Sequence, residues 1–135
     1  MIVVIDTNCL LQILPRSSPY RWLYNLILQG KIELALPTEI INEYTGILER
    51  KTNTAVTNNV IQAMIENPSV IFIEPSYRWA MVTKDANDDK YVDCAVAANA
   101  DYLISNDKHF AILDTIEFPK IERLKLNQVK ESLFN

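Results

Sequence analysis

The side chains in this sequence that could do chemistry together are acids. Asp6 ends the apolar run Ile2-Val3-Val4-Ile5, and Asp107 follows the second apolar run Tyr102-Leu103-Ile104 by three residues. Glu43 falls about one turn into a segment that opens at Pro37-Thr38. Asp89 and Asp93 stand four residues apart, which puts both on one face of a helix. Oxygen ligands without His or Cys suit Mg²⁺ or Mn²⁺ and disfavour zinc. A carboxylate cluster can clamp one or two such ions, which activate a water and stabilise the oxygens of an in-line phosphoryl displacement. There are only two glycines, so no Gly-rich phosphate loop exists. A phosphodiester backbone is therefore a better substrate than a nucleoside triphosphate.

Each acid also has an ordinary explanation. Asp6 could open a turn, and Asp107 could cap the helix predicted from Lys108. Asp88 and Asp89 stand at a helix start, where the dipole favours negative charge; Asp88 is assigned that role and left out of the site. Asp93 is harder to explain away. It lies one turn inside its helix beside Val96, Ala97 and Ala100, with Lys90 three residues back as its only basic neighbour. Glu43 similarly shares a face with Ile40 and Ile47. Two unpaired acids on inward faces imply a shared cation.

The elements that must position these acids follow from the apolar spacing. Strands are predicted at 2–5, 31–37, 70–75 and 101–105, with a short fifth near 121–124. Helices are predicted at 7–14, from Tyr20 to a cap at Gly30, from Thr38 (as N-cap) to about residue 51, from within the polar stretch 51–59 through Val60–Glu66, and from Lys90 to near residue 100. Tyr77–Val82 reads as one or two helical turns, 106–113 as a turn into a short helix, and the tail as a closing helix. Strands alternating with helices predict an α/β three-layer sandwich around a mostly parallel sheet of four to five strands, of Rossmann-like type. In such sheets ligands bind beyond the carboxyl ends of the strands. Asp6 and Asp107 would emerge there together.

Composition bounds the reading. The 135 residues are 49% apolar and 22% charged, as expected of one globular domain spanning the whole chain, 1–135. No run is long enough to span a membrane, and the start Met-Ile-Val-Val-Ile-Asp has no basic leader, so a cytoplasmic protein is expected. The net charge of −4 argues against a nucleic-acid binder at first sight. A bound cation reverses the local sign, and without Asp6, Glu43, Asp93 and Asp107 the formal charge rises from −4 to zero. Arg16, Arg21, Lys84, Lys90, Lys108 and His109 flank the predicted strand ends and could steer a phosphodiester backbone. His109, the lone histidine, is not required by the chemistry. Cys9 and Cys94 have no zinc-ligand spacing and read as small buried thiols.

Three stretches resemble the PIN domain, and within it the small bacterial and archaeal toxins of type II toxin–antitoxin modules: IVVIDTNCLL, PTEIINEYTGIL and DANDDKYVDCAVAANADYLISNDKHF. The third sets two motifs at the right separation with a helix and a strand between them. The resemblance covers most of the chain and is least diagnostic over 52–70 and the last fifteen or so residues. It implies a Mg²⁺- or Mn²⁺-dependent endoribonuclease acting on single-stranded RNA, often a homodimer inhibited by a small antitoxin. By position, Asp6 matches the family's first metal-site Asp, with Thr7 and Asn8 as companions. Glu43 matches the second acid, Asp93 the helix-borne Asp, and Asp107 the Asp after the fourth strand. Asp89 matches an additional acid, Ser105 and Asn106 are supporting positions, and Arg16, Lys84 and Lys108 are candidate RNA contacts. Asn106 stands where Gly or Arg is common.

Two alternatives compete. A haloacid dehalogenase-type phosphatase needs a second Asp two residues after the first, and position 8 is Asn. A non-catalytic PIN-like module would recruit a protein or RNA partner, which the full set of acids opposes. The apolar segments YRWLYNLIL and VIQAMI are expected to supply the homodimer surface.

Overall fold

A computed structural model describes residues 1–82 and 86–134. Strands β1 (Ile2–Ile5), β2 (Glu33–Leu36), β3 (Val70–Phe72), β4 (Tyr102–Ile104) and β5 (Arg123–Leu124) are joined by helices α1 (Thr7–Ile13), α2 (Arg21–Leu28), α3 (Thr38–Lys51), α4 (Thr54–Glu66), α5 (Asp89–Ala97) and α6 (Leu126–Phe134). Two 3₁₀ segments, Ala86–Asp88 and Lys108–Thr115, precede α5 and follow β4. The α/β class and its parallel sheet are as the alternation predicts.

Among the described residues the strands form one parallel sheet in the order β3-β2-β1-β4-β5. The central strands are apolar throughout because a parallel sheet is covered on both faces: Val3, Val4, Ile5, Leu34, Ala35, Leu103 and Ile104 are fully buried. The chain builds β2 and β3 on one side of β1, then crosses to build β4 and β5 on the other. That reversal leaves a crevice between the carboxyl ends of β1 and β4. Register fixes its walls: Ile5 pairs with Ile104, and the Asp6 N–H continues the ladder to the Ile104 carbonyl at 3.1 Å. Helix α5 packs on β1, β2, β4 and α3, and so overhangs the crevice.

Local chemistry explains most of the boundaries. Gly30 ends α2 at φ +76°, a left-handed cap that suits glycine. Pro37, rather than Thr38, is the N-cap of α3. Glu74 takes the capping role from outside, since its Oε1 accepts from the Thr38 N–H (2.8 Å) and hydroxyl (2.5 Å). The expected helical turns at Tyr77–Val82 do not form. Two backbone donors of that segment are held by acids of α5, and Ala80 sits at φ +51°, outside the helical region. Cys9 and Cys94 are free and buried, as expected. Burial pushes the Cys94 thiol up to about 12. No described helix is long and apolar enough to cross a membrane.

Candidate functional site at the strand ends

Asp6 leaves β1 at 6% exposure and caps α1, its Oδ1 accepting from the Cys9 N–H at 2.8 Å. Its other oxygen accepts from the Ser105 hydroxyl. Ser105 in turn accepts the Asp107 N–H at 3.0 Å. One serine thus ties the acid after β1 to the backbone of the acid after β4. Burial raises the Asp6 pKa, and the nearby charge of Asp107 adds to it, while bonds from Ser105 and Cys9 oppose both. Asp107 caps the 3₁₀ segment after β4, with its Oδ1 taking the His109 N–H at 2.9 Å. The cap and any further role are compatible, since each carboxylate has spare lone pairs.

The acid that meets Asp107 is Asp88, the last residue of the 3₁₀ segment before α5. His109 Nδ1 lies 3.5 Å from Asp88 Oδ2 and 3.5 Å from Asp107 Oδ1. Donor atoms of Asp88, Asp107 and His109 all fall within 4.8 Å of one another. Sequence reasoning passed over Asp88 as an acid at a helix start. Successive residues on a helix point about 100° apart, so only the docking of α5 decides which of two adjacent acids faces the sheet edge.

Glu43 forms a second constellation. Its Oε2 pairs with Lys90, and its Oε1 accepts from the hydroxyls of Thr7 (2.6 Å) and Tyr91. The Thr7 N–H donates to the Tyr91 oxygen at 3.2 Å, fastening the start of α1 to α5. Burial alone would raise the Glu43 pKa, but bonds from Lys90, Thr7 and Tyr91 outweigh it and leave it below the ordinary value. The expectation that Glu43 is unpaired is therefore corrected. Lys90, expected as a free steering charge, is spent on Glu43 and on the Asn87 carbonyl at 2.6 Å.

Asp89 and Asp93 have a different employment. Asp89 Oδ1 accepts the Val82 N–H at 2.8 Å, and Asp93 Oδ1 accepts the Trp79 N–H at 2.9 Å. Asp93 also lines a small cleft of about 80 Å³ with Glu39, Glu74, Arg78 and Lys90. Burial raises the Asp93 pKa, partly offset by the Trp79 N–H, with Asp89 raising it further. Asp93 was expected to be unpaired; it carries a backbone partner 14 residues upstream. Among the supporting positions, Asn106 caps α6 through the Leu126 N–H at 3.0 Å, and Asn8 is exposed. Arg16 and Lys108 are exposed; Lys84 lies outside the described residues.

A parallel α/β sheet with acids gathered where its strand order reverses defines a class of ligand-binding α/β domain. Within that class the chain belongs to the PIN domain family, whose model matches residues 2–109. No curated protein matches it. Solved structures share the fold at low identity. VapBC2 from Rickettsia felis, bound to a DNA fragment from its promoter, is 17% identical with a TM-score of 0.63, covering 93% of this chain and 98% of that one. VapBC-1 from nontypeable Haemophilus influenzae is 17% identical with a TM-score of 0.63, covering 94% and 99%. The T. brucei RRP44 PIN domain is 17% identical with a TM-score of 0.51, covering 98% of this chain and 80% of that one.

Proposed function

We propose that this chain is a divalent-metal-dependent endoribonuclease that hydrolyses phosphodiester bonds of single-stranded RNA, and that it is the toxin partner of a small antitoxin protein. The observation that carries the reading is the cluster of Asp88, Asp107 and His109 beside the β1–β4 crevice, with Asp6 tied to Asp107 through Ser105. Membership of the PIN family and the VapBC likeness support it. The donor set fits a divalent ion, since acid oxygens with one imidazole lie close enough to share a centre.

Asp6, Asp88 and Asp107 would hold that ion, which when bound supplies an acidified water and charge neutralisation at the phosphate. The chain's own groups keep the ligands in place. Ser105 and the Cys9 N–H fix the Asp6 carboxylate, and the Asp107 cap fixes its own oxygen. Glu43, with Lys90, Thr7 and Tyr91, locks α1, α3 and α5 around the crevice. Asp89 and Asp93, also expected as ligands, act in this reading through the Val82 and Trp79 backbone. Arg16 and Lys108 remain the candidate contacts for the RNA backbone.

A homodimer is part of the proposal. Leu28 and Val56 are 41% and 40% exposed where α2 and α4 border a groove that Arg16, Arg21 and Asn59 also line, and exposed apolar side chains of this kind favour association. Light scattering that returns only the 15.5 kDa monomer as concentration rises would remove it.

End-labelled single-stranded RNA incubated with the purified chain tests the activity. Cleavage is expected with Mg²⁺ or Mn²⁺, loss of cleavage with EDTA, and little action on duplex DNA. Binding of RNA without cleavage in any divalent ion would favour the non-catalytic module instead.

A further inference from the structure

We propose that His109 donates a nitrogen ligand to the ion held at this crevice, so that the site prefers Mn²⁺, or a related first-row transition ion, over Mg²⁺. The inference rests on the metal-dependent reading above and deepens it. Sequence logic assigned an all-oxygen ligand set, yet the fold brings an imidazole into it. Asp107 Oδ1 takes the backbone N–H of His109 at 2.9 Å, and this tight turn folds the ring back toward the acid that organises it. The Nδ1 atom then stands 3.5 Å from both Asp88 Oδ2 and Asp107 Oδ1.

Those spacings suit ligation better than pairing. A protonated imidazole seeking a carboxylate closes to about 2.8 Å. Here the nitrogen stays equidistant from two oxygens, is buried, and makes no hydrogen bond to any described residue. Donors bound about 2.1 Å from one octahedral ion lie about 3.0 Å apart when adjacent and about 4.2 Å when opposite. The two spacings from Nδ1, 3.5 Å each, fall between those values, and all three donor atoms lie within 4.8 Å of one another. Mg²⁺ takes oxygen and water almost exclusively, whereas neutral imidazole binds readily to Mn²⁺ and more strongly to later transition ions. A nitrogen at this point therefore discriminates between ions that an oxygen-only cluster would accept alike.

Pulsed electron paramagnetic resonance on the chelator-stripped full chain loaded with Mn²⁺ decides the question without reference to activity. The expected spectrum shows ¹⁴N modulation of a directly bound imidazole. His109→Gln should remove that modulation and weaken Mn²⁺ binding by at least about tenfold, with Mg²⁺ binding changed little. A Mn²⁺ ion bound by the wild-type chain with no nitrogen modulation would overturn the assignment while leaving the metal-dependent nuclease intact. Failure of the wild-type chain to bind Mn²⁺ at all would overturn both. Because the wild-type spectrum is decisive alone, a misfolded variant does not rescue the proposal.

Discussion

The 3₁₀ segment before α5 and α5 itself put their acids to opposite uses. At the N-terminal edge of α5, Asp88 faces across the strand ends toward Asp107 and His109. Its neighbour Asp89, and Asp93 one turn further in, instead bond the backbone N–H groups of Val82 and Trp79. The acids look alike in sequence. In the proposed function, what separates them is whether the partner is an ion, for which the charge has to be kept, or a fixed N–H, for which an uncharged acceptor would do as well. A buried acid is therefore weak evidence of ligation until its acceptor lone pairs have been accounted for.

The contrast is broken most sharply by isosteric substitution. Asp88→Asn keeps the shape and removes a ligand charge, and should lower metal-dependent RNA cleavage by more than about 100-fold with the fold intact by circular dichroism. Asp93→Asn should retain most of the cleavage, because its amide oxygen still accepts the Trp79 N–H. Equal losses in the two variants would erase the distinction.

Stability separates the same residues in the other direction. Asp93→Ala leaves the Trp79 N–H without its acceptor, so a loss of about 1–3 kcal/mol and several degrees of melting temperature is expected. For Asp93→Asn the sign reverses. The folded-state pKa of Asp93 is raised, mainly by burial, so its ionised form opposes folding above that pKa. Removing the charge should leave the neutral-pH protein equally or more stable, a gain that vanishes in acid where Asp93 is protonated in both states. Thermal melts of both variants between pH 3 and about pH 7 check this.

Glu43 provides the smallest effect and the opposite pH trend. Its pKa is lowered below the ordinary 4.5 despite burial, through Lys90, Thr7 and Tyr91. Its contribution to stability is present above the unfolded value and is lost as pH falls through the folded one. Glu43→Gln should therefore melt slightly lower than wild type near neutral pH, with the difference closing in acid. A difference that persists unchanged to low pH would assign it to packing rather than to charge.

Local pattern made the architecture legible in the sequence. The apolar runs at 2–5 and 102–104, the Gly30 cap and the Asp107 cap all depend on neighbours a few residues away. The site was half legible, since Asp6 and Asp107 follow strands whose carboxyl ends a parallel sheet brings to one edge, and the order β3-β2-β1-β4-β5 then makes them neighbours. The remainder depended on long-range docking. Lys90 lies 47 residues from Glu43, and no periodicity links them. Trp79 and Val82 looked helical because their apolar spacing fits a turn, but acids downstream hold their N–H groups. His109 did leave a signal, two residues after an Asp at a turn, although a lone histidine gives little reason to follow it.

Isothermal titration of Mn²⁺ into the wild-type chain, Asp88→Asn and Asp93→Asn tests most directly whether the ion sits at the crevice between β1 and β4. The predicted result is one binding transition in wild type, nearly unchanged in Asp93→Asn and lost or weakened at least about tenfold in Asp88→Asn. Binding that survives in Asp88→Asn and disappears in Asp93→Asn would place the ion in the cleft beside Glu39 and Arg78, and would contradict this assignment of the site.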